Sequence, residues 1–259
     1  MFENIRYFVK SDVGLHRHNN EDHFSMVDPS CTGYDLEQLG VAFVIADGLG
    51  GHAAGEIASR MACEEVISSY YRDDLRFPDN ADADKWKIRK LEQAIRSAHN
   101  KIIHAATERE EWRGMGTTLS ALVLTEEKAF IGHVGDSRIY RHRSDEAERM
   151  TIDHTKNQAM VDRGQLLPGD GNCLGCGHIL TQVLGGYDDL TDVFTRIEEV
   201  QRGDLFLLCT DGLHGLVADS EIQEILIKYS LPQTACDALV QAAIEKGGDD
   251  NITVMVIRM

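Results

Sequence analysis

Four aspartates stand where an apolar run meets its boundary. Asp47 follows 41–46, Asp136 follows "AFIGHVG", Asp211 follows "LFLLCT", and Asp250 precedes "ITVMVI". Gly48 and Gly212 come directly after two of them, which lets backbone carbonyls and water approach closely. Glu21 and Asp22 add an acidic pair immediately ahead of the apolar stretch 23–27. A carboxylate at a strand end is rigidly placed beside a low-dielectric interior, and several together repel one another unless cations sit among them. Ligands that are all oxygen select Mg2+, Mn2+ or Ca2+ over zinc. Arg17, upstream of Asp22, offers a guanidinium fork for phosphate. Two divalent ions, a water between them and an arginine describe a phosphate-ester hydrolase. For any single aspartate a plain Asp-Gly turn is the simpler account; the recurrence of the pattern favours a cage.

The same stretch has a competing reading. Gly48-Leu49-Gly50-Gly51-His52-Ala53 satisfies G-x-G-x-x-A between a strand and a helix, the setting of a dinucleotide-binding oxidoreductase. In that architecture an acidic residue grips the ribose from the end of a second parallel strand, about 20 residues on. Here Glu64 and Glu65 fall inside a helical pattern, and no βαβ unit follows. A P-loop is excluded, because no Gly-Lys-Ser/Thr follows the glycines.

The elements that must position these residues are legible as hydrophobic periodicity. Short runs rich in Val, Ile, Phe and Leu predict strands over 5–9, 23–27, 40–46, 118–125, 128–134, 138–142, 204–210 and 252–258. Helical spacing predicts helices over 54–72 and 86–108, and shorter ones over 156–163, 219–229 and 232–246, with Asp219-Ser220 as a start signal. Glu126-Glu127 reads as a hairpin turn, and Gly135-Asp136 as the turn into a third strand of the same antiparallel meander. Antiparallel strands and long helices segregated along the chain predict an α+β sandwich. The segment 165–178 has four glycines and no periodicity, and reads as a long loop.

Composition bounds the partners. The 259 residues are 42% hydrophobic with only 4 prolines, which predicts one compact domain over 1–259. A formal net charge of −17 argues against nucleic acid, whose phosphates need Lys/Arg surfaces. The opening "MFENIRYFVK" lacks the pattern of a signal peptide, and no apolar run is long enough to span a bilayer. Six cysteines in this length do not make a disulfide scaffold, so a reducing cytoplasm is the expected location.

Taken in order, "RHNNED" (17–22), "DGLGGH" (47–52), "GMGTTL" (114–119), "GHVGDSRIY" (132–140), "DHT" (153–155), "LTQVLG" (180–185), "CTDGL" (209–213) and "GGDDNITV" (247–254) resemble the motif series of the PPM family. These are the metal-dependent type 2C Ser/Thr protein phosphatases. The resemblance runs from 11 to 257, and "DGLGGH" with the compact size is most similar to the bacterial branch. It implies an αββα fold, two antiparallel sheets flanked by helix pairs, and a flap loop around 156–180. It implies two Mn2+ or Mg2+ ions bridged by Asp47, with Asp211 and Asp250 completing the first site and the Gly48 carbonyl serving the second. Glu21 and Asp22 would hold metal-bound waters, and Asp136 would serve the third site of bacterial members. Arg17 would bind the substrate phosphate, and Thr117 and Thr118 would support the site. The implied reaction is in-line attack on phosphoserine or phosphothreonine by a water between the metals, without a phospho-enzyme. A catalytic set of Arg17, Asp47, Asp211 and Asp250 follows. The implied partners are phosphoproteins and a cognate Ser/Thr kinase in a bacterial signalling pathway, and the implied state is a monomer. The alternative on the same fold is a catalytically inactive module that binds phosphoproteins.

Two departures stand out. Many eukaryotic members place a general-acid His directly after Asp-Gly, where this chain has Leu49; His52 and His154 are the histidines nearest in motif terms, and a metal-bound water is the other candidate source of the leaving-group proton. The flap also carries "CLGCGH", with Cys173, Cys176 and His178. That spacing suits zinc, which would need a fourth ligand, or a redox pair; an irregular flap with incidental cysteines is the simpler account.

Overall fold

In the computed structural model, the described residues are 5–49, 54–72, 82–144, 146–167 and 178–259. Along them run β1 (Arg6–Asp12), β2 (Asp22–Val27), α1 (Leu36–Leu39), β3 (Val41–Leu49), α2 (Ala54–Tyr70), α3 (Ala83–Glu108), β4 (Gly116–Thr117), β5 (Leu119–Leu124), β6 (Lys128–Val134), β7 (Arg138–Arg143), β8 (Glu146–Arg149), α4 (Lys156–Asp162), β9 (Leu184–Gly185), β10 (Phe194–Glu199), β11 (Leu205–Cys209), α5 (Asp211–His214), α6 (Asp219–Lys228), α7 (Pro232–Glu245) and β12 (Ile252–Arg258). One sheet has the order β1-β12-β11-β7-β8; the other runs β10-β6-β5-β3-β4-β9, with β2 on the remaining flank of β3.

The central strands are continuous apolar runs because both of their faces are covered. Alternate residues of β3 divide between two layers: Val41, Phe43 and Ile45 point between the sheets, while Ala42, Val44 and Ala46 pack toward α2 and α3. The other sheet mirrors this, with Phe206, Leu208, Met255 and Ile257 inside and Leu207, Cys209, Val254 and Val256 toward α6 and α7. The result is the helix–sheet–sheet–helix sandwich that the family resemblance implied. Among the described residues no helix is long and apolar enough to cross a membrane.

The β5–β6 hairpin turns at Glu126-Glu127 as expected, closed by the Thr125 amide donating to the Lys128 carbonyl at 2.8 Å. The third strand does not continue that meander. At Gly135-Asp136 the chain leaves the sheet, and β7 pairs with β11 and β8 of the opposite sheet. Gly135 has φ 103, and a Cβ there would meet Thr118 Cβ at 2.6 Å, so only glycine makes this crossing.

Among the edge strands, the sequence pattern missed the two-residue β9 and also β8 and β10. β8, "EAER", and β10, "FTRIEE", carry charges where interior strands carry valine and leucine. Those charges interlock across the two sheets: Arg141 reaches Glu148 (2.6 Å) and Glu198 (3.3 Å), and Arg196 reaches the same two carboxylates at 2.7 Å each. α6 starts at Asp219 as expected, but with Ala218 at the cap, so that Asp219 lies in the first turn and accepts from Tyr140 Oη at 2.9 Å.

Phe206 is fully buried between the sheets. Phe206→Ala is expected to cost ~3–5 kcal/mol, read as a lower urea midpoint with an unchanged slope.

Candidate active site

The acidic residues come from both sheets and meet at one end of the sandwich. In the β2–β3 ladder Asp22 sits directly opposite Asp47. Asp211 opens α5 just past the end of β11, and Asp250 lies just ahead of its neighbour β12. Arg17, Glu21, Asp47, Gly48, Asp211 and Asp250 line one pocket of about 370 Å³, with His16, His18, Asn19, Leu49 and Asn251. Asp22 is buried beneath it, 7% exposed, and Asp136 is buried at its flank, 5% exposed. The expected site residues are thus brought to one place, in a lined pocket and not a closed cage. Among the described residues no three acidic, histidine or cysteine side chains already form a ligand set.

The scaffold around Asp47 is dense. Its amide donates to Thr118 Oγ1 (3.0 Å), and its carbonyl accepts from the Thr118 amide (2.9 Å) and Thr117 Oγ1 (2.8 Å). The two threonines therefore act as supports. Thr118 Oγ1 also shares a hydrogen bond of 2.7 Å with Ser137 Oγ, which ties Asp47 to the segment that carries Asp136. Gly48 is buried, and a Cβ there would lie 2.2 Å from the Gly55 carbonyl of α2 and 2.7 Å from the Glu21 carbonyl, so the close approach of the start of α2 and of the residue before β2 requires glycine. Arg138, from "GDSR", locks onto Asp153, from "DHT", at 2.6 Å.

Sequence reasoning missed Asn251. Its Nδ2 donates to the Val13 and Asn19 carbonyls (2.9 and 3.0 Å), and its Oδ1 accepts from the Glu21 amide (2.8 Å). One side chain thereby fastens the loop bearing Arg17 and Glu21 to the strand start bearing Asp250. The signal lay in "DDNIT", where an asparagine sits inside the acidic motif. His154, weighed as a proton source, faces elsewhere: its Nδ1 accepts from the Gly135 amide at 3.2 Å, and its ring packs on His133 with centroids 5.2 Å apart. His52, Cys173 and Cys176 lie outside the described residues.

Burial and mutual repulsion dominate the electrostatics. Burial, then Asp211, Asp22 and Asp136, push the Asp47 carboxyl well above the usual carboxylate range. Burial and Asp250 push Asp211 upward. Burial raises Asp22 to about 7 and, with Asp211 and Asp153, raises Asp136 to about 8. Among the described residues, Asp22 Oδ1 and Asp211 Oδ1 are buried and have no hydrogen-bond partner. Orphaned carboxylate oxygens in a crowded acidic pocket fit a hard divalent cation, which supplies the missing partner and relieves the repulsion. Among the described residues Arg17 is the one cation paired into this lining, its Nη2 2.7 Å from Asp250 Oδ2.

Two stacked antiparallel sheets clad in helices, with an acidic pocket fed by both, form the architecture of metal-dependent phosphatases. The chain belongs to the protein phosphatase 2C family, whose family model matches residues 19–245. It is 33% identical over 250 residues to protein phosphatase PhpP of Streptococcus pneumoniae, covering 96% of this chain and 95% of that one. The structure of Ser/Thr phosphatase Stp1 from Staphylococcus aureus superposes with a TM-score of 0.83 at 31% identity, over 100% of this chain and 95% of the other. The catalytic domain of PstP, in a structure with two manganese ions, gives 0.78 at 32% identity, over 98% and 97%. PstP of Mycobacterium tuberculosis is 34% identical over 254 residues, covering 97% of this chain and 44% of that longer protein. The dinucleotide reading falls with this, since β3 pairs antiparallel with β2, β4 and β5 and no parallel βαβ unit exists among the described residues.

Stability against pH separates the carboxylates from the buried histidines. His133 and His214, lowered to about 3 by burial, favour the folded state increasingly as pH rises toward the ordinary imidazole value of ~6.5 and contribute no slope above it. Asp22 and Asp136, raised to about 7 and 8, stay protonated when folded while the unfolded chain ionises near ~4. Stability therefore falls as pH rises through their folded values. In EDTA the urea midpoint is expected to drop between pH 6.5 and pH 8.5, and Mn2+ to reduce that drop.

Proposed function

We propose that this chain hydrolyses phosphoserine and phosphothreonine in proteins with the help of two Mn2+ or Mg2+ ions. The observation that carries the reading is the pocket itself: carboxylates from both sheets, two of them with orphaned oxygens, beside an arginine. Asp47 would serve both ions, Asp211 and Asp250 the first and the Gly48 carbonyl the second. Glu21 and Asp22 would act through water, and Asp136 would hold a third ion. When bound, such ions supply Lewis acidity and an activated water as nucleophile.

The chain's own residues do the rest. Arg17, with 55% of its side chain exposed, can present a planar fork to the phosphate once it exchanges Asp250 for the substrate. Thr117 and Thr118 fix the Asp47 backbone and so the direction of its carboxylate. Leu49 lines the pocket without offering a proton. The family relatives and the full acidic set weigh against the inactive phosphoprotein-binding module. The proposed setting is a bacterial cytoplasm, in which the chain, a monomeric single domain over 1–259 with its flap at 156–180, opposes a cognate Ser/Thr kinase.

Phosphate release from a phosphothreonine peptide is expected to require Mn2+ and to cease in EDTA. Asp250→Ala should lower kcat by at least ~100-fold. Arg17→Ala should raise KM, and Arg17→Lys should restore only part of the loss, because a point charge does not replace the fork. Mn2+ binding by calorimetry without any turnover would support the binding module instead.

A further inference from the structure

Asp136 stands where the chain passes from one sheet to the other, and the residues on either side of it are tied down separately. Gly135 is held by His154: its amide donates to Nδ1 at 3.2 Å, and its carbonyl accepts from the His154 amide at 2.7 Å. Ser137 is held from the sheet of Asp47. Its hydroxyl shares a hydrogen bond of 2.7 Å with Thr118 Oγ1, and its carbonyl accepts from Ser120 Oγ at 3.0 Å. The carbonyl of Asp136 itself is engaged from the Asp211 side, where His214 Nε2 lies 2.9 Å from it. A carbonyl can only accept, so that nitrogen carries the ring proton.

His214 is the last residue of α5, the turn that Asp211 opens. Three positions on from Asp211, it neighbours that residue on the surface of the turn. The Gly215 amide closes the turn by donating to the Asp211 carbonyl at 2.7 Å. Asp211 is also the foremost of the neighbouring charges that raise Asp136, so the two carboxyls are close. Arg138, two residues past Asp136, is committed elsewhere: to Asp153 at 2.6 Å, Tyr140 Oη at 3.0 Å and Asp219 at 3.5 Å.

We infer that His214 is a positioning residue: through the Asp136 carbonyl it fixes the spacing between the carboxylates of Asp136 and Asp211, and so the affinity for the ion that Asp136 serves. The inference rests on the third-ion role proposed above for Asp136. Without this hydrogen bond the peptide that follows Asp136 can turn, and the carboxylate on the same Cα turns with it. His214 makes its contribution indirectly, since its Nε2 is spent on the carbonyl and it lies outside the pocket lining. Outer partners that orient a ligand in this way typically account for ~10–100-fold in metal affinity.

Mn2+ titrations by calorimetry at one fixed pH test this. The difference between wild type and Asp136→Asn defines the Mn2+ that depends on Asp136. For that ion His214→Leu, which fills similar space without a donor, is expected to weaken binding by ~10–100-fold. His214→Thr, too short to reach the carbonyl, should show the same loss and keeps the comparison if His214→Leu does not fold. His214→Gln, whose amide can present an N–H to the same carbonyl, should recover most of the loss. Tyr140→Phe removes the nearby bond of 2.9 Å to Asp219; it should lower the urea midpoint and leave the affinity for that ion as in wild type. In the Asp136→Asn background His214→Leu should change Mn2+ binding no further, because a residue acting through Asp136 has nothing left to act on. Unchanged affinity in His214→Leu and His214→Thr, a His214→Gln as impaired as they are, the same loss in Tyr140→Phe, or a further loss in the double variant would overturn the assignment. Identical Mn2+ binding by wild type and Asp136→Asn would instead overturn the third-ion role beneath it.

Discussion

Carboxylates that cannot all be ionised together are the constraint on which this structure turns. Asp47 and Asp22 face each other across one ladder, and Asp136 and Asp211 crowd the same region from the opposite sheet. Water would screen such a group; here burial removes much of the water and leaves the repulsion less screened. The surrounding hydrogen bonds hold the backbone while leaving particular oxygens bare. Thr117 and Thr118 take up the polar groups of Asp47's backbone, and Thr210 takes one oxygen of Asp22 while the other stays orphaned. A fold optimised for stability alone would satisfy or delete those oxygens.

The sandwich explains how such a cluster can be gathered at all. One sheet supplies Asp22, Asp47 and Gly48, the other supplies Asp211 and Asp250, and the chain crosses between them at Gly135-Asp136. Because the sheets pack face to face through large side chains such as Phe43 and Phe206, the ends of their strands are fixed relative to each other. Asn251 supplies the remaining tie, between the loop at 13–21 and the second sheet.

Much of this was legible in the residues. Apolar runs ending in Asp-Gly located Asp47 and Asp211, and the ordered motifs located the rest. The interior strands could be read because both of their faces are apolar. β8 and β10 could not, because an edge strand is held by its neighbour's backbone and by ion pairs, which leave no hydrophobic period. The crossing at Gly135 was misread for a related reason: a turn inside one sheet and a passage between two sheets both want glycine, and only the partner of β7 distinguishes them. Asn251 was passed over because its partners are carbonyls 232 and 238 positions away, and a backbone acceptor has no residue type to read.

β12 lies between β1 and β11 in the interior of its sheet, with Arg258 opposite Arg6. A segment near one end of the sequence thus closes on a segment near the other, and Asp250 arrives with it. On the ribosome the first acidic residues would emerge long before the strand that completes their setting. Until residues 252–258 are free, β1 and β11 lack their shared neighbour. A chain grown only to the end of β11 therefore still lacks Asp250 from its pocket.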